Sequence, residues 1–315
     1  MDRFEAMSLL VAVTEHGSLS AAGRATRVPL ATLSRKISDL EALLGTRLLV
    51  RTTRKITLTD AGIAYVAAAR RILDEVDNAE REAAGEFTSP KGELVITAPT
   101  MFGRLHVLPV VADFLKAYPE INVRLILSDR NVDLVGDHVD MAVRIGKLPD
   151  SSMVATQVGL MRTVTCASPA LLAARGAQAA PLGPDDLLGL PGLPCVTVDT
   201  PMPSAPWRFR HPQSGAAMDV AIVPRLVVTT PEAAAQAAVL AVGVVRLLHY
   251  QVIEAVERGV LQILFADHEP EPAPVHLVHV LRGQMPLKMR RFLDFAAPRL
   301  RMALNGMPAK RERRG

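Results

Sequence analysis

The chain has 315 residues, of which 49% are hydrophobic and 22% charged, with a net charge of +4. This balance is typical of folded domains and excludes a largely disordered chain, and the length is enough for two or three domains. The first residues lack the apolar core of a signal peptide, and the apolar stretches are too short or too interrupted to cross a bilayer. The sequence therefore predicts a cytoplasmic protein.

Positive charge is concentrated near the N-terminus. Residues 24–55 hold eight Lys or Arg against two Asp or Glu, whereas residues 61–309 hold 23 against 25. A basic head on a nearly neutral body predicts a polyanionic partner for the head, although a solvated surface is the alternative interpretation. The basic run 310–314 is expected to be a disordered end.

The side chains that usually carry chemistry are not grouped. Cys166 and Cys195 have no metal-binding spacing and no disulfide partners nearby in sequence, which predicts two buried, reduced thiols. His276 and His279 are three residues apart on an expected strand, so they should point to opposite faces rather than share a metal. No nucleophile elbow, phosphate loop or dinucleotide motif is present. We therefore expect no enzyme activity, no metal and no cofactor.

Three short helices are predicted in the head. Apolar residues recur at helical spacing over residues 4–11. Gly17 ends this helix, and Ser18 caps a second helix over residues 19–25. The third helix begins near Pro29, a residue suited to a first helical turn.

The third helix has the pattern of a DNA-recognition helix. Its apolar stripe comprises Leu30, Leu33, Ile37 and Leu40. At about 100° per residue, Arg35 points away from this stripe. An outward arginine binds guanine bidentately or clamps a phosphate, and small polar neighbours allow a helix into the major groove.

A basic, threonine-rich segment follows and ends in the alternating run 55–58, which predicts a short strand. A hairpin of this composition beside a helix-turn-helix is typical of a wing that contacts phosphates or the minor groove. A solvated surface hairpin is the alternative.

Residues 1–62 resemble the winged helix-turn-helix of LysR-type transcriptional regulators. The matching runs are Ser20-Ala21-Ala22, Thr32-x-Ser34-Arg35-x-Ile37, Leu40-Glu41, Leu44-Gly45-x-Arg47-Leu48-Leu49, Arg51-x-Thr53-Arg54 and Leu58-Thr59-x-Ala61-Gly62. There are departures: members usually have Leu at position 26 and Gly at position 27, where this chain has Thr26 and Arg27. Gly23 lies inside the second helix at a cost of about 1 kcal/mol relative to Ala. The run from Pro29 to Thr32 is similar to a variant branch of the family.

The resemblance implies a set of DNA-binding residues, with Arg35 reading bases and the wing holding the backbone. The set is Ser18, Ser20, Ala31, Thr32, Ser34, Arg35, Lys36, Arg51, Thr52, Thr53, Arg54 and Lys55.

A long helix is predicted from Thr59, its cap, to about residue 86, followed by a flexible hinge over residues 85–92. Spacings of four and three residues define a heptad seam. Its positions are Gly62, Val66, Ala69, Leu73, Val76, Glu80 and Ala83. The seam predicts a dimerisation helix, and the alternative is an amphipathic helix that lies on its own domain.

The body alternates strands and helices, which predicts a parallel sheet with helices on both faces. One helix is expected over residues 103–118, with an apolar stripe of Leu105, Leu108, Val111 and Leu115. The runs 127–135, 140–146 and 166–171 resemble the LysR-type effector domain, which has the two-lobed architecture of periplasmic solute-binding proteins. The expected fold is thus an α+β winged helix-turn-helix (1–60), a linker helix and hinge (61–92), an α/β effector domain (93–303) and a basic tail (304–315). Lobe I is expected to comprise 93–161 and 269–303, and lobe II 162–268.

Ligands of open α/β sheets bind beyond the carboxyl ends of the strands, so the cleft between the lobes is the expected effector site. Its candidate residues are Pro99, Thr100, Met101, Phe102, Ser128, Arg144, Ile145, Thr200, Thr229 and Thr230. Hydroxyl groups, an arginine and a helix N-terminus suit a small carboxylate or another polar effector. Capping or turn formation is the alternative role of each threonine.

The resemblance implies a dimer or tetramer that binds promoter DNA, with effector binding changing the arrangement of the lobes. A solute-binding protein without DNA activity is the alternative function.

Overall fold

The computed structural model describes residues 2–51, 56–83, 90–130, 132–148, 153–174, 183–187, 193–199, 206–280 and 285–305. The chain divides into two compact units, Met1–Ser89 and Pro90–Gly315, which we call the N-terminal and C-terminal units. Among the described residues, no helix has the length and apolar character needed to cross a membrane.

The N-terminal unit has the expected three helices, a hairpin and a long helix. Its elements are α1 (Arg3–His16), α2 (Leu19–Thr26), α3 (Leu30–Leu44), β1 (Leu49–Arg51), β2 (Ile56–Leu58) and α4 (Asp60–Ala83). The predicted caps are present: the Ser18 hydroxyl accepts from the Ala21 N–H at 3.1 Å, and the Thr59 hydroxyl accepts from the Gly62 N–H at 2.9 Å. Gly17 ends α1 in the left-handed conformation with φ 70°.

One small aliphatic core holds these elements together. It contains residues of α1, α2, α3, the hairpin and the start of α4. Leu33, Ile37 and Leu40 of α3 are fully buried in it. This burial fixes which face of α3 remains outside.

Two departures from the family pattern have a local explanation in the turn between α2 and α3. A Cβ added to Gly23 would lie 2.8 Å from the Val28 carbonyl oxygen, so only glycine allows this close approach. Arg27 follows α2 with φ 58°, a left-handed conformation in which glycine is unstrained and arginine is not. The turn between α2 and α3 therefore requires glycine at position 23 and holds Arg27 in a strained backbone conformation.

The first residues of the predicted heptad seam are buried against the rest of the N-terminal unit. Val66 and Ala69 are 6% and 1% exposed, and α4 packs against α1. Gly62 is so close to the hairpin that a Cβ there would lie 2.0 Å from the Leu48 carbonyl oxygen. Val66 completes the small core, so this part of the seam packs on its own unit, and the role of the helix in dimerisation remains a prediction. Further along, Leu73 and Val76 are only half-buried.

The C-terminal unit contains two five-stranded sheets and a separate hairpin. Its helices are α5 (Thr100–Phe102), α6 (Leu108–Ala117), α7 (Pro169–Ala173), α8 (Pro231–Val239), α9 (His249–Glu257) and α10 (Leu287–Asn305), with a π-helical turn, Gly103–Val107, joining α5 to α6. Its strands are β3 (Gly92–Ala98), β4 (Ile121–Leu127), β5 (Met141–Ile145), β6 (Met153–Met161), β7 (Thr163–Ala167), β8 (Cys195–Val198), β9 (Trp207–Arg210), β10 (Ala217–Val220), β11 (Pro224–Val228), β12 (Val244–Leu248), β13 (Gln262–Leu264) and β14 (Ala273–Val280).

Both large sheets are mixed, so the expectation of a parallel sheet is wrong. The first sheet has the order β4-β3-β5-β14-β6, in which β14 runs antiparallel to β5 and β6. The second has the order β11-β8-β12-β7-β13, in which β7 runs antiparallel to β12 and β13. The chain leaves the first sheet after β6 and returns to it in β14, and we call these two passages between the sheets the crossings. The direction of the strands therefore depends on the two crossings and not on helical crossover connections alone.

The apolar stripe predicted for the helix after β3 is correct in its second half only. Val111 is buried and Leu115 packs on the core of the first sheet, whereas Leu105 and Leu108 are 41% and 47% exposed. The π-helical turn Gly103–Val107 inserts an extra residue into the helical ladder, so side chains before and after it are rotated relative to a regular α-helix. A spacing rule based on an uninterrupted helix therefore placed Leu105 and Leu108 on the wrong face.

An ion pair links the two crossings between the sheets. Arg162 lies between β6 and β7, and Glu269 lies before β14. The guanidinium donates two hydrogen bonds to the carboxylate, at 2.9 and 2.6 Å, and the two side chains are only 15% and 7% exposed. The Arg162–Glu269 ion pair thus holds the two crossings next to each other.

Candidate nucleic-acid interface and effector cleft

The outward face of α3 carries the predicted arginine. Arg35 and Ala31 are exposed on this face, opposite the buried stripe. Thr32 and Ser34 flank it and are half-buried, and Ser20 of α2 is exposed. Ser18 is half-buried and caps α2, so its hydroxyl already has a structural role.

Lys36 does not share this position. Its ammonium forms an ion pair with Glu5 of α1, and its side chain is 23% exposed. One residue beyond Arg35, the helix has turned by about 100°, which directs Lys36 towards α1. Lys36 thus links α3 to α1, and its predicted contact with DNA remains a prediction.

The expected burial of Leu30 is wrong. The expected stripe began at this residue, but Leu30 is 49% exposed. It occupies the first position of α3, beyond the end of the small core, and its neighbours Pro29 and Ala31 are exposed as well. The tip of the helix is therefore an exposed apolar surface.

The wing is attached to α3 through a buried carboxylate that the sequence analysis did not single out. Glu41 is 5% exposed and accepts hydrogen bonds from the N–H groups of Leu48 and Leu49, at 2.7 and 3.0 Å. The hairpin then pairs Leu49 with Leu58 and Arg51 with Ile56. A charged residue inside an otherwise apolar helical face was the available signal, since a buried carboxylate needs donors.

The side chains of Arg51, Thr52, Thr53, Arg54 and Lys55 lie outside the described residues. Their predicted contacts with the DNA backbone remain predictions.

On the first sheet, three of the predicted effector residues directly follow the end of β3. Pro99, Thr100 and Met101 are half-buried there. The Thr100 N–H donates to the Asp129 carboxylate at 3.0 Å, so the N-terminus of this helix already has an internal anion. Ser128, at the end of β4, accepts from the Arg130 N–H at 3.2 Å. Asp129 was not among the predicted residues, although it lies two residues beyond the end of β4.

Phe102 does not line the cleft. It is fully buried and packs edge-to-face on Tyr250, with ring centroids 5.5 Å apart. The His106 ring packs against both, with its centroid 4.8 Å from that of Phe102 and 5.9 Å from that of Tyr250, and burial lowers its pKa. Burial also raises the pKa of the Tyr250 hydroxyl, which accepts from the Gln251 amide at 3.2 Å. Phe102 is therefore corrected to a core residue that joins the helix after β3 to α9.

Three of the remaining predicted cleft residues make structural contacts. Arg144 donates to the Val132 carbonyl at 2.6 Å, and burial lowers its pKa. Ile145 is half-buried and packs on the core of the first sheet. On the second sheet Thr229 and Thr230 are exposed, and the Thr230 hydroxyl accepts from the Ala233 N–H at 3.2 Å, which confirms its role as a cap. Thr200 lies outside the described residues.

No cluster of three or more His, Cys, Asp or Glu side chains suited to a metal ion occurs in the part of the chain that the structure describes. Both cysteines are free and buried, as predicted. Burial raises the pKa of the Cys166 thiol to about 12 and that of the Cys195 thiol to about 11. The thiols are thus inert at neutral pH.

Two protein-family models cover most of the chain. The model described as bacterial regulatory helix-turn-helix protein, lysR family, matches residues 4–63. The model described as LysR substrate binding domain matches residues 88–301, which is more than half of the chain. The chain belongs to the LysR family. The fold class predicted from the sequence, a winged helix-turn-helix followed by a two-lobed α/β domain, is confirmed.

Individual relatives agree with this assignment. The chain is similar to the HTH-type transcriptional regulator PtxR of Pseudomonas aeruginosa, with 32% identity over 90% of this chain and 88% of PtxR. A regulator of Xanthomonas campestris is 42% identical, but over only 57% of this chain and 51% of that protein. The structure of CrgA from Neisseria meningitidis, a LysR-type transcriptional regulator, superposes with a TM-score of 0.57 and 29% identity, covering 94% of this chain and 98% of that one. This LysR-type chain is accordingly a DNA-binding transcriptional regulator with an effector-binding domain.

Proposed function

We propose that the regulator reads a partly palindromic promoter site with the outward face of α3, and that Arg35 contacts base edges. The observation that carries this proposal is the division of α3 into a buried stripe and an exposed face with Arg35 at its centre. Ala31, Thr32 and Ser34 lie near the guanidinium and are small enough for a close approach to the groove. The recognition helix of this chain is then of the variant type that begins with Pro29 and Leu30.

The phosphate backbone is held by the basic hairpin on either side of the groove contact. Arg51, Arg54 and Lys55 supply charge, and Thr52 and Thr53 supply hydroxyl donors. Ser20 at the exposed start of α2 is placed to add a further backbone contact. These contacts give affinity that falls with salt, whereas Arg35 gives sequence preference.

Two copies of the chain pair so that two recognition helices reach two half-sites. We infer that pairing uses α4 beyond Ala69, since the earlier seam residues are already buried in their own unit. Leu73 and Val76 continue the seam, and neighbouring Ile72 is 41% exposed. A pair of dimers forms the tetramer. Since its partner is the promoter, the protein acts in the cytoplasm.

A small polar molecule between the two sheets is the effector. Pro99, Thr100, Met101 and Ser128 contribute one wall, and Thr229, Thr230 and Thr200 the other. A carboxylate effector at Thr100 would have to displace Asp129, so hydroxyl or amide groups suit this end of the cleft better. The effector regulates DNA binding only to the extent that it binds two arrangements of the sheets with different affinity.

The proposal predicts that Arg35→Ala weakens binding to the specific site by about 1–3 kcal/mol while leaving binding to random DNA nearly unchanged. The reason is that a bidentate base contact discriminates between sequences, whereas a phosphate contact does not. Fluorescence anisotropy with the specific and a scrambled duplex, at two salt concentrations, measures both affinities.

Arg225→Ala is the matched control, because Arg225 is an exposed arginine of β11 in the other unit and its replacement changes the net charge equally. It should leave both affinities in place. Equal losses on specific and scrambled DNA for the Arg35 variant would show that Arg35 contacts only phosphate.

A further inference from the structure

We propose that Leu30 reads the 5-methyl group of a thymine in each half-site, which makes it a specificity-determining residue. This inference rests on the proposed use of α3 as the recognition helix. It adds a base preference that Arg35 does not supply.

The first argument is the position of Leu30. In helix-turn-helix proteins the N-terminal residues of the recognition helix contact base edges. Leu30 is the first residue of α3, and nearly half of its surface, 49%, is exposed. The core residues of the same helix begin one turn later with Leu33, which is fully buried.

The second argument is the chemistry of the helix tip. Pro29, Leu30 and Ala31 are consecutive and have no side-chain hydrogen-bond donor or acceptor. Pro29 makes no side-chain cap hydrogen bond, and it has no N–H. A tip of this kind is unable to read a base through side-chain hydrogen bonds. The apolar feature on the major-groove edges of base pairs is the thymine methyl group.

The third argument separates Leu30 from other exposed leucines. Scattered exposed apolar residues are normal on protein surfaces. Leu43, at the opposite end of α3, is 53% exposed and therefore presents a similar surface. It is about 20 Å further along the helix, at 1.5 Å per residue, and so lies away from the bases. Leu43 is thus a matched control on the same element.

The experiment compares duplexes that differ only in the methyl group. Duplexes are first selected by the full-length chain from a random-sequence pool, and the enriched sequence is then prepared with thymine or with uracil at every thymine position. Burial of one methyl group favours the thymine duplex about fourfold per half-site, or about fifteenfold for a dimer on two half-sites. The ratio of the two dissociation constants is measured for each variant.

We expect Leu30→Ala to lower the thymine-to-uracil preference by this factor, and Leu43→Ala to leave it as in the wild type. Leu30→Met keeps an apolar side chain of similar length and should retain the preference, which shows that the effect is contact rather than folding. Thermal unfolding of each variant provides the check on folding.

Three results would overturn the inference. The first is equal binding of both duplexes by the wild type. The second is an equal loss of affinity on both duplexes for Leu30→Ala, which would assign Leu30 to the sugar-phosphate backbone or to the fold. In both cases DNA binding itself would stand. The third is failure to enrich any sequence from the pool, which would contradict the proposed reading of DNA by α3 and therefore also the inference about Leu30.

Discussion

The effect of Gly23 on stability differs between helix propensity alone and the surroundings that the structure shows. From helix propensity alone, glycine inside α2 costs about 1 kcal/mol relative to alanine. In the structure the effect on stability has the opposite sign, and glycine is more stable than alanine here. The reason is that an alanine Cβ would lie 2.8 Å from the Val28 carbonyl oxygen, a backbone atom that is fixed by the following turn. The glycine is therefore required by the close approach of α2 to the chain leading into α3.

We predict that Gly23→Ala lowers the stability of the N-terminal unit by about 1–3 kcal/mol, the range typical of overpacking. Urea denaturation followed by circular dichroism measures the change. Ala25→Gly is the control on the same helix, because Ala25 is exposed and its replacement tests propensity alone, at about 1 kcal/mol. A more stable Gly23→Ala variant would mean that the turn relaxes without cost.

Single residues also mark the limit of prediction from sequence. The outward direction of Arg35 followed from helical spacing, because one apolar stripe defines the opposite face. The roles of Lys36 and Phe102 did not follow, since each depends on a partner from another element: Glu5 in one case and Tyr250 in the other. Spacing along one helix contains no information about which distant residue will be packed against it.

At the scale of elements, the connection between α3 and the wing depends on Glu41. Its carboxylate accepts from the successive backbone N–H groups of Leu48 and Leu49, where the chain enters β1. The hairpin consequently begins at a fixed position relative to the recognition helix. If the wing holds the DNA backbone, this carboxylate sets the distance between the two DNA contacts.

We predict that Glu41→Ala destabilises the N-terminal unit by about 1–3 kcal/mol, because it leaves buried N–H groups without acceptors. Hydrogen exchange resolved by residue should show faster exchange at Leu48 and Leu49, while the core amides of α1 change less. Asp39→Ala, an exposed acid on the same helix, is the control. Unchanged exchange at Leu48 and Leu49 would contradict the assigned role of Glu41.

Elements with an unbroken periodicity were well predicted, and interrupted ones were not. The short helices α1 to α3 and the second wing strand agree with their sequence patterns. The helix after β3 differs at Leu105 and Leu108, which lie in and directly after its π-helical turn, and agrees at Val111 and Leu115.

At the scale of the whole molecule, the two sheets of the C-terminal unit are linked through Arg162 and Glu269. Each residue lies on a different crossing, and together they form a nearly buried, bidentate pair. Any change in the arrangement of the sheets has to occur around this fixed point. The family resemblance implied a change of lobe near residues 161 and 269, but no sequence pattern pairs residues 107 positions apart.

We predict that Arg162→Met destabilises the C-terminal unit by about 3–5 kcal/mol, because it leaves the Glu269 carboxylate buried and unpaired. Trp207 is the single tryptophan and is buried in this unit, so its fluorescence reports the unfolding in urea. The double variant Arg162→Met with Glu269→Leu should recover much of the loss, since it removes both charges. A single variant as stable as the wild type would show that the pair does not hold the crossings.

The most direct test of the central claim, that the outward face of α3 enters the DNA groove, is site-directed cleavage of bound DNA. Both native thiols are buried with raised pKa values, so an introduced surface cysteine is labelled selectively with an iron chelate. We predict that the chelate at Ala31→Cys cleaves the bases of each half-site, whereas the chelate at Leu43→Cys cleaves weakly and outside them. Equal cleavage from the two positions, or cleavage from position 43 alone while the site is occupied, would contradict the account.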